Sequence, residues 1–375
     1  LRIPRQNNER KCAMSIATGL ATGRSASATL VEQAVERALA SAGVEIPNSV
    51  LLFLTQEFAA DPAPALKAAM RASSCMQIIG CSAAGIFTEQ EWVLDAPAAA
   101  AMVFGGEVSL QPVSEPQAGH QLLTLAAPNA INSSWIEAPG QRFGAISGDA
   151  TGRGPFKVWS GGKIASAGRC EVEVAGARAE IGVSQGVRAI SAPLEITQVN
   201  GFDLISLRQQ PALNVLAREL PLEVREMERI PLHLLMAGVT IGDPATAISE
   251  GRFRLTPIIS TNSDDRSVTL SQRLAPGERL FWALRQPLAA ERDMRHTLDV
   301  LSRGDTPPRF AMLFPCMGRG PYFYGGVDRD LDLVTARYPG MPVIGFYGNG
   351  EIAPLDGINH LYQYSAVLGL YRATH

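Results

Sequence analysis

MQIIGCSAAGIF, residues 76–87, reads as a short apolar run that stops at a glycine-rich turn. The run is too short for a buried helix and is bounded by turn residues, so it is predicted to be a strand buried on both faces. Working outward, SVLLFLT at 49–55 has the same character, and residues 64–73 between the two read as a helix with Leu66, Ala69 and Met70 inward. AAAAMVF at 98–104 is a third strand. Upstream, SASATLVEQAVERALA at 27–42 is amphipathic, with Leu30, Ala34, Val35, Ala38 and Leu39 on one face. Ser27 or Thr29 is placed to cap it, and Gly43 ends it.

The end of the chain echoes this order. RFAMLFPC at 309–316 matches the strand at 49–55, LDLVTARYP at 331–339 stands where the second helix stood, and MPVIGFYGNGEI at 341–352 aligns with 76–87. With Ile79-Gly80 on Ile344-Gly345, Gly85 meets Gly350. YQYSAVLGLY at 362–371 matches the closing strand. The echo reads either as two duplicated halves or as a strand, helix, strand and glycine-turn pattern that recurs in many α/β proteins. Between the ends, RFGAIS, PFKVWSGGKIAS, RCEVEVAG and AEIGVSQG at 140–190 read as a meander of mixed or antiparallel sheet, with a hairpin turn at Gly161-Gly162. LEITQVNGFDLISL gives two strands around Asn200-Gly201. Residues 252–282 give more strands, parted by turns at Asp264-Asp265 and Pro276-Gly277. Residues 287–302 form a helix with Leu288, Met294, Leu298 and Leu301 on one side. The predicted fold class is α/β or α+β, with layered mixed sheets and flanking helices.

Composition narrows the function classes. With 46% apolar residues, 18% charged residues and a net charge of -3, the chain is neither a disordered segment nor a basic nucleic-acid binder. No apolar run approaches the length of a membrane span. The 5 cysteines show no metal-ligand spacing, which fits a reducing compartment. The segment after the polar start has no continuous signal-peptide core, so residues 1–14 are read as a loose arm and the expected location is the cytoplasm. No dinucleotide fingerprint, Walker lysine or zinc spacing is present, so no cofactor and no metal are expected. GCSAAG misses the G-x-S-x-G elbow because its second glycine falls one place late.

The residues that stand out for chemistry lie at glycine turns after predicted strands. These are GCSAAG at 80–85, GNGE at 348–351 and ISGDATGRG at 146–154, together with PCMGRGPYFYGG at 315–326. Glycine lets backbone amides converge on a ligand with no Cβ in the way. Cys81 and Ser82, Asp149, Asn349 and Glu351, and Cys316 supply polar or reactive groups there. Arg319 suits a carboxylate or phosphate, and Glu351 suits an ammonium, so the pair fits a small zwitterion such as an amino acid. The structural alternative is that the glycines are only tight turns and that Arg319 pairs with an acid such as Asp328. An enzyme would need a base beside a cysteine, and Cys316 with His360 and Glu351 is the arrangement to look for, with Cys81 as the other nucleophile. A non-catalytic interaction scaffold is the third reading.

At these residues the chain resembles the FIST family, named for F-box and intracellular signal transduction proteins. ATGLATG, GCSAAG and GAISGDA carry the resemblance to the N-terminal FIST region, and LFPCMGRG and GFYGNGEIAP carry that to the C-terminal one. The resemblance implies an N-terminal domain at 15–192, a C-terminal domain at 193–375, and a sensory module binding small ligands, with amino acids proposed. Its motif residues here are Cys316, Arg319, Gly320, Gly350 and Glu351. Met317-Gly318 between the cysteine and the arginine departs from the pattern. No F-box, kinase, cyclase or receiver segment is read in the chain, so signal transfer is expected to need a separate partner protein.

Overall fold

In the computed structural model, which describes residues 15–227, 230–304 and 306–374, every residue of Ser49–Thr55 is buried. The strand alternates. Leu51 and Phe53 point into a central core, while Val50, Leu52 and Leu54 point outward onto helices. Those helices are Ala28–Ala42, which ends at a left-handed Gly43, and Ala63–Ser73. Two covered faces explain why the strand is apolar throughout rather than at every second residue. The arm expected at 1–14 lies outside the described residues.

Three sheets of six strands surround that core and share one order. In space the first runs Ile16–Thr22, Ala98–Phe104, Ser49–Thr55, Ile78–Ala83, Val158–Ser160, Lys163–Ile164. The second runs Ala177–Ser184, Ala366–Ala373, Phe310–Pro315, Val343–Tyr347, Gly85–Thr88, Trp92–Leu94. The third runs Ser109–Pro112, Arg169–Ala175, Gln121–Ala126, Gln141–Ile146, Glu351–Leu355, Ile358–Tyr362. In each, the third and fourth strands are parallel and all other neighbours are antiparallel. The last two strands of every sheet are a hairpin lent by another sheet. The chain leaving the first sheet supplies the second, the second supplies the third, and the third supplies the first.

The expected pair of duplicated halves is therefore corrected. Residues 76–87 and 341–352 do occupy matching places, but Gln141–Ile146 occupies the same place in a third sheet, so the repeated unit is the sheet and not the half-chain. Its mark is one glycine per fourth strand. Gly80, Gly144 and Gly345 lie opposite Leu52, Thr124 and Leu313 of the parallel neighbour. A Cβ there would stand 1.7, 2.1 and 1.9 Å from the respective carbonyl oxygens. The single meander expected at 140–190 is likewise corrected, because its strands are dealt out to all three sheets. Its hairpin turn at Gly161-Gly162 is present, with positive φ at both glycines and Ser160 paired to Lys163.

Aromatic rings from all three sheets meet in the core. Phe314 lies 6.2 Å from Phe53, 5.3 Å from Phe346 and 6.3 Å from Phe143, centroid to centroid. Pro287–Leu301 and Arg329–Arg337 cover the second sheet, with Met294 and Leu298 buried. Leu288, expected inward, is exposed in the first turn of that helix, next to the barrel strand.

A separate six-stranded antiparallel barrel closes on itself in the order Leu194–Asn200, Asp203–Leu207, Ser267–Leu270, Phe253–Asn262, Leu235–Thr240, Arg279–Arg285 and back to the first. Closure removes the exposed edges. Val215 and Leu216 of the helix Ala212–Glu219 join Leu204, Val268 and Trp282 in its interior. Five of these strands are read from sequence; Leu235–Thr240 and the closure are not.

Candidate functional site

The three glycine turns meet. Ser147 Oγ donates to the Ser82 carbonyl at 2.6 Å and lies 3.3 Å from Ser82 Oγ, joining the turn of the third sheet to that of the first. Ile146 and the 348–350 turn exchange backbone bonds of 2.9 Å, from Asn349 N–H to Ile146 and from Ile146 N–H to Gly350. The loop after Phe310–Pro315 joins them. Gly348 N–H donates to Pro315, Met317 N–H donates to Gly348, and Cys316 N–H donates to Ser365. Above this junction opens a cleft of about 320 Å³, lined by Cys316, Met317, Gly318, Asn349 and Tyr364 with Gly348 at its floor.

Of the residues expected at a site, Cys316 and Asn349 line the cleft, and Gly350, with φ 141°, follows Asn349 in the turn beside it. The others take different roles. Arg319 is fully buried and turned away. It pairs bidentately with Asp330 at 2.9 Å through Nε and 2.9 Å through a terminal nitrogen, and its remaining bonds go to Ser184 and to the Ala290 carbonyl. The expected anion anchor is thus a structural ion pair, and its acid is Asp330 rather than Asp328. Asp328 instead accepts from Leu331 N–H as the helix N-cap and from the Tyr347 hydroxyl. Gly320 packs against the Tyr347 ring. Cys81 points into the central core and Ser82 is held in the Ser147 junction. Asp149 folds its own loop, accepting from the Thr151 hydroxyl at 2.8 Å and from Gly154 N–H at 2.8 Å.

Glu351 is the unusual group. It pairs with Ala145, the residue after Gly144, the fourth-strand glycine of the third sheet. The matching hairpin positions in the other two sheets, opposite Phe346 and Cys81, are Ile86 and Val158. A carboxyl therefore stands where the two equivalents are apolar core residues, and it is completely buried. Buried acids are rare unless something partners them. One oxygen accepts from Ser365 Oγ at 2.6 Å and from Ser365 N–H at 3.3 Å, while Oε1 has no partner among the described residues. Burial pushes its pKa well above the ordinary value of 4.5, against the weaker pull of the Ser365 bonds.

That shift makes stability depend on pH. Between the unfolded and folded pKa the folded chain holds the extra proton, so the contribution is full below about pH 4.5 and is lost as pH rises. Asp328, raised by burial to about 6, acts in the same direction over a narrower window. Glu351→Gln is expected to flatten the fall in melting temperature between about pH 5 and pH 8. Equal slopes in wild type and variant would show that Glu351 carries no such burden.

Burial, then Glu351, push the Cys316 thiol up, outweighing the Gly318 and Tyr364 N–H groups and Arg285. A neutral thiol is a poor nucleophile. His360 stands opposite Ala353 on the lent hairpin, and the charges that act on it are Arg254 and Asp356. The Cys316, His360 and Glu351 arrangement is therefore not assembled. Among the described residues no group of three or more His, Cys, Asp or Glu is placed to hold a metal.

Two cleft neighbours gave no sequence signal. Tyr364 has φ 59°, a left-handed conformation unusual for a tyrosine. Arg285, at the end of a barrel strand, is buried with its guanidinium 3.9 Å over the Tyr364 ring and 5.1 Å from Phe323. It donates to the His233 carbonyl at 3.0 Å and to that of Gly318.

Residues 48–210 match the FIST N domain and residues 212–354 match the FIST C domain. The chain belongs to the FIST family. FIST domains are generally sensory, signal-transduction modules for small ligands. The two FIST matches interlock here. Two barrel strands, Leu194–Asn200 and Asp203–Leu207, fall in FIST N, and the other four fall in FIST C. The FIST chain is 27% identical over 230 residues to the uncharacterized protein Mb0898c of Mycobacterium bovis, which covers 61% of this chain and 59% of that protein. It is 25% identical over 388 residues to the uncharacterized protein MT0656 of Mycobacterium tuberculosis, covering 96% of this chain and 100% of that protein.

Proposed function

We propose that this FIST protein is a cytoplasmic sensor that binds a small polar metabolite, with amino acids the first candidates, and acts by changing its affinity for a separate signalling protein. The observation that carries this reading is the cleft formed where the 348–350 turn meets the Cys316 loop, beside the hydrogen-bonded junction that ties in the other two glycine turns. Backbone groups approach the cleft where no Cβ blocks them, and the half-buried Asn349 amide and the Tyr364 ring offer polar and stacking contacts. Cleft-lining segments touch Arg285 of the barrel, so an occupied cleft has a route to shift how the barrel sits. The raised Cys316 thiol weighs against turnover. Cys75, Cys81, Cys170 and Cys316 are free thiols, and no described helix is long and apolar enough to cross a membrane, both in keeping with the location.

A thermal-shift screen of the full chain against amino acids and small polar metabolites tests the reading. A ligand at a hundredfold excess over its Kd should stabilise the fold by about 2.7 kcal/mol. Asn349→Ala should weaken the binding of any hit by about tenfold, the worth of a good buried hydrogen bond. A screen without hits would overturn the sensor reading, and hits indifferent to Asn349→Ala would move the site elsewhere.

A further inference from the structure

The cleft has a cation behind its wall with no ion-pair partner among the described residues. Arg285 is buried, and the ion pairs among the described residues leave it out, whereas the more deeply buried Arg319 is neutralised by Asp330. Its two assigned bonds go to neutral carbonyls, His233 and Gly318, and its flat faces rest against Tyr364 and Phe323. Gly318 and Tyr364 both line the cleft, so the guanidinium stands directly behind them. The acidic groups nearest this junction do not offset it. Burial raises the pKa of the Glu351 carboxyl and of the Cys316 thiol, which favours their uncharged forms. Burial also lowers the pKa of Arg285 itself, the mark of a cation held away from water without full compensation. Desolvating a guanidinium is costly unless a partner arrives, and its fork still has donors uncommitted by those two bonds.

We propose that the cleft takes a small carboxylate, seated between Gly318, Asn349 and Tyr364, with Arg285 as its counter-charge. The proposal rests on the reading of the cleft as the ligand site and adds the class of ligand. Arg285 supplies the positive charge from behind Gly318 and the Tyr364 ring, and Asn349 closes the rim with its amide. Because Arg285 ends the barrel strand Arg279–Arg285 and is followed at once by the helix Pro287–Leu301, the captured charge pulls on the joint between barrel and sheets. A zwitterionic amino acid would then be held by its carboxylate through Arg285, not through Arg319.

Matched pairs separate charge from shape. Calorimetric titration of the full chain with lactate against lactamide, propionate against propionamide, and glycine against glycinamide should show the acid of at least one pair binding about tenfold or more tightly than its amide, as a charge-assisted bond requires. Arg285→Gln should erase that preference and Arg285→Lys should keep part of it. Asn349→Asp tests the same point without touching the buried guanidinium. By placing a negative charge at the rim, it should abolish binding of the acid and spare the amide. Amides that bind as well as their acids would overturn the carboxylate assignment while leaving the site reading standing. An acid preference that survives both Arg285→Gln and Asn349→Asp would place the counter-charge elsewhere. No binding by any acid would overturn the ligand class, and the sensor reading would then rest on the wider screen.

Discussion

Gly80→Ala, Gly144→Ala and Gly345→Ala are each expected to cost more than about 4 kcal/mol, enough to leave little folded protein. The added methyl would lie 1.7 to 2.1 Å from a carbonyl oxygen of the parallel neighbour strand. That oxygen belongs to backbone, so it cannot swing aside as a side chain would. At Gly80 and Gly144 the φ values of 157° and 146° add strain for any residue with a Cβ. The neighbouring strands are hydrogen-bonded on both sides in the middle of a sheet, which blocks a local retreat. Gly119→Ala is the control. It too has positive φ, at 98°, but nothing lies within 4 Å, so its cost should be only about 1 kcal/mol. Soluble yield, near-ultraviolet circular dichroism and melting temperature read the difference. A native-like melting temperature for any of the three would show that its strand does not sit as described.

Arg319→Ala is expected to destabilise by about 3–5 kcal/mol, because it leaves Asp330 buried without its partner. Five bonds from the guanidinium tie the loop after Phe310–Pro315 to Ser184, to the Ala290 carbonyl and to the Arg329–Arg337 helix. Replacing both members, Arg319→Met with Asp330→Leu, should recover much of the loss, since a buried pair adds little over apolar residues of similar size. Chemical denaturation measures both effects. The outcome also separates two roles. If Arg319 were a ligand anchor, Arg319→Ala would lose ligand affinity with stability largely intact.

Local pattern carried the elements that are buried by their own residues. The runs at 49–55 and 76–83 are apolar because both faces are covered, and the helices at Ala28–Ala42 and Pro287–Leu301 show their stripes for the opposite reason. What local pattern did not carry was pairing between distant segments. Glu351 meets Ala145, and Gly85 meets Tyr347, across separations that no short window contains. The third sheet was missed on this account. Its parallel pair, Gln121–Ala126 and Gln141–Ile146, is joined by only a short helical turn, Ser133–Ile136, so it lacks the strand-helix-strand signature of the other two.

The site shows the same division. Cys316, Asn349 and Gly350 were legible because they belong to two glycine-rich motifs, each at a strand end. Residue type alone misassigned Arg319, since a guanidinium reads the same whether it faces a ligand or Asp330. Glu351 was legible as special, but its burial turns an expected acceptor for an ammonium into a proton-holding carboxyl. Arg285 lay inside ERLFWALRQ, which announces only a strand. It stands behind the cleft wall, against Tyr364 and Gly318, because barrel closure brings the end of its strand there.

The reading of the cleft between the 348–350 turn and the Cys316 loop as a ligand site is most directly tested by a crystal structure of the full chain with its best-binding acid from the paired titrations. The account predicts ligand density between Gly318, Asn349 and Tyr364, with the carboxylate directed toward Arg285. Density instead in the cavity between the barrel and the helix Pro287–Leu301, lined by Gln185, Phe253 and Asp293, with the cleft empty, would contradict it.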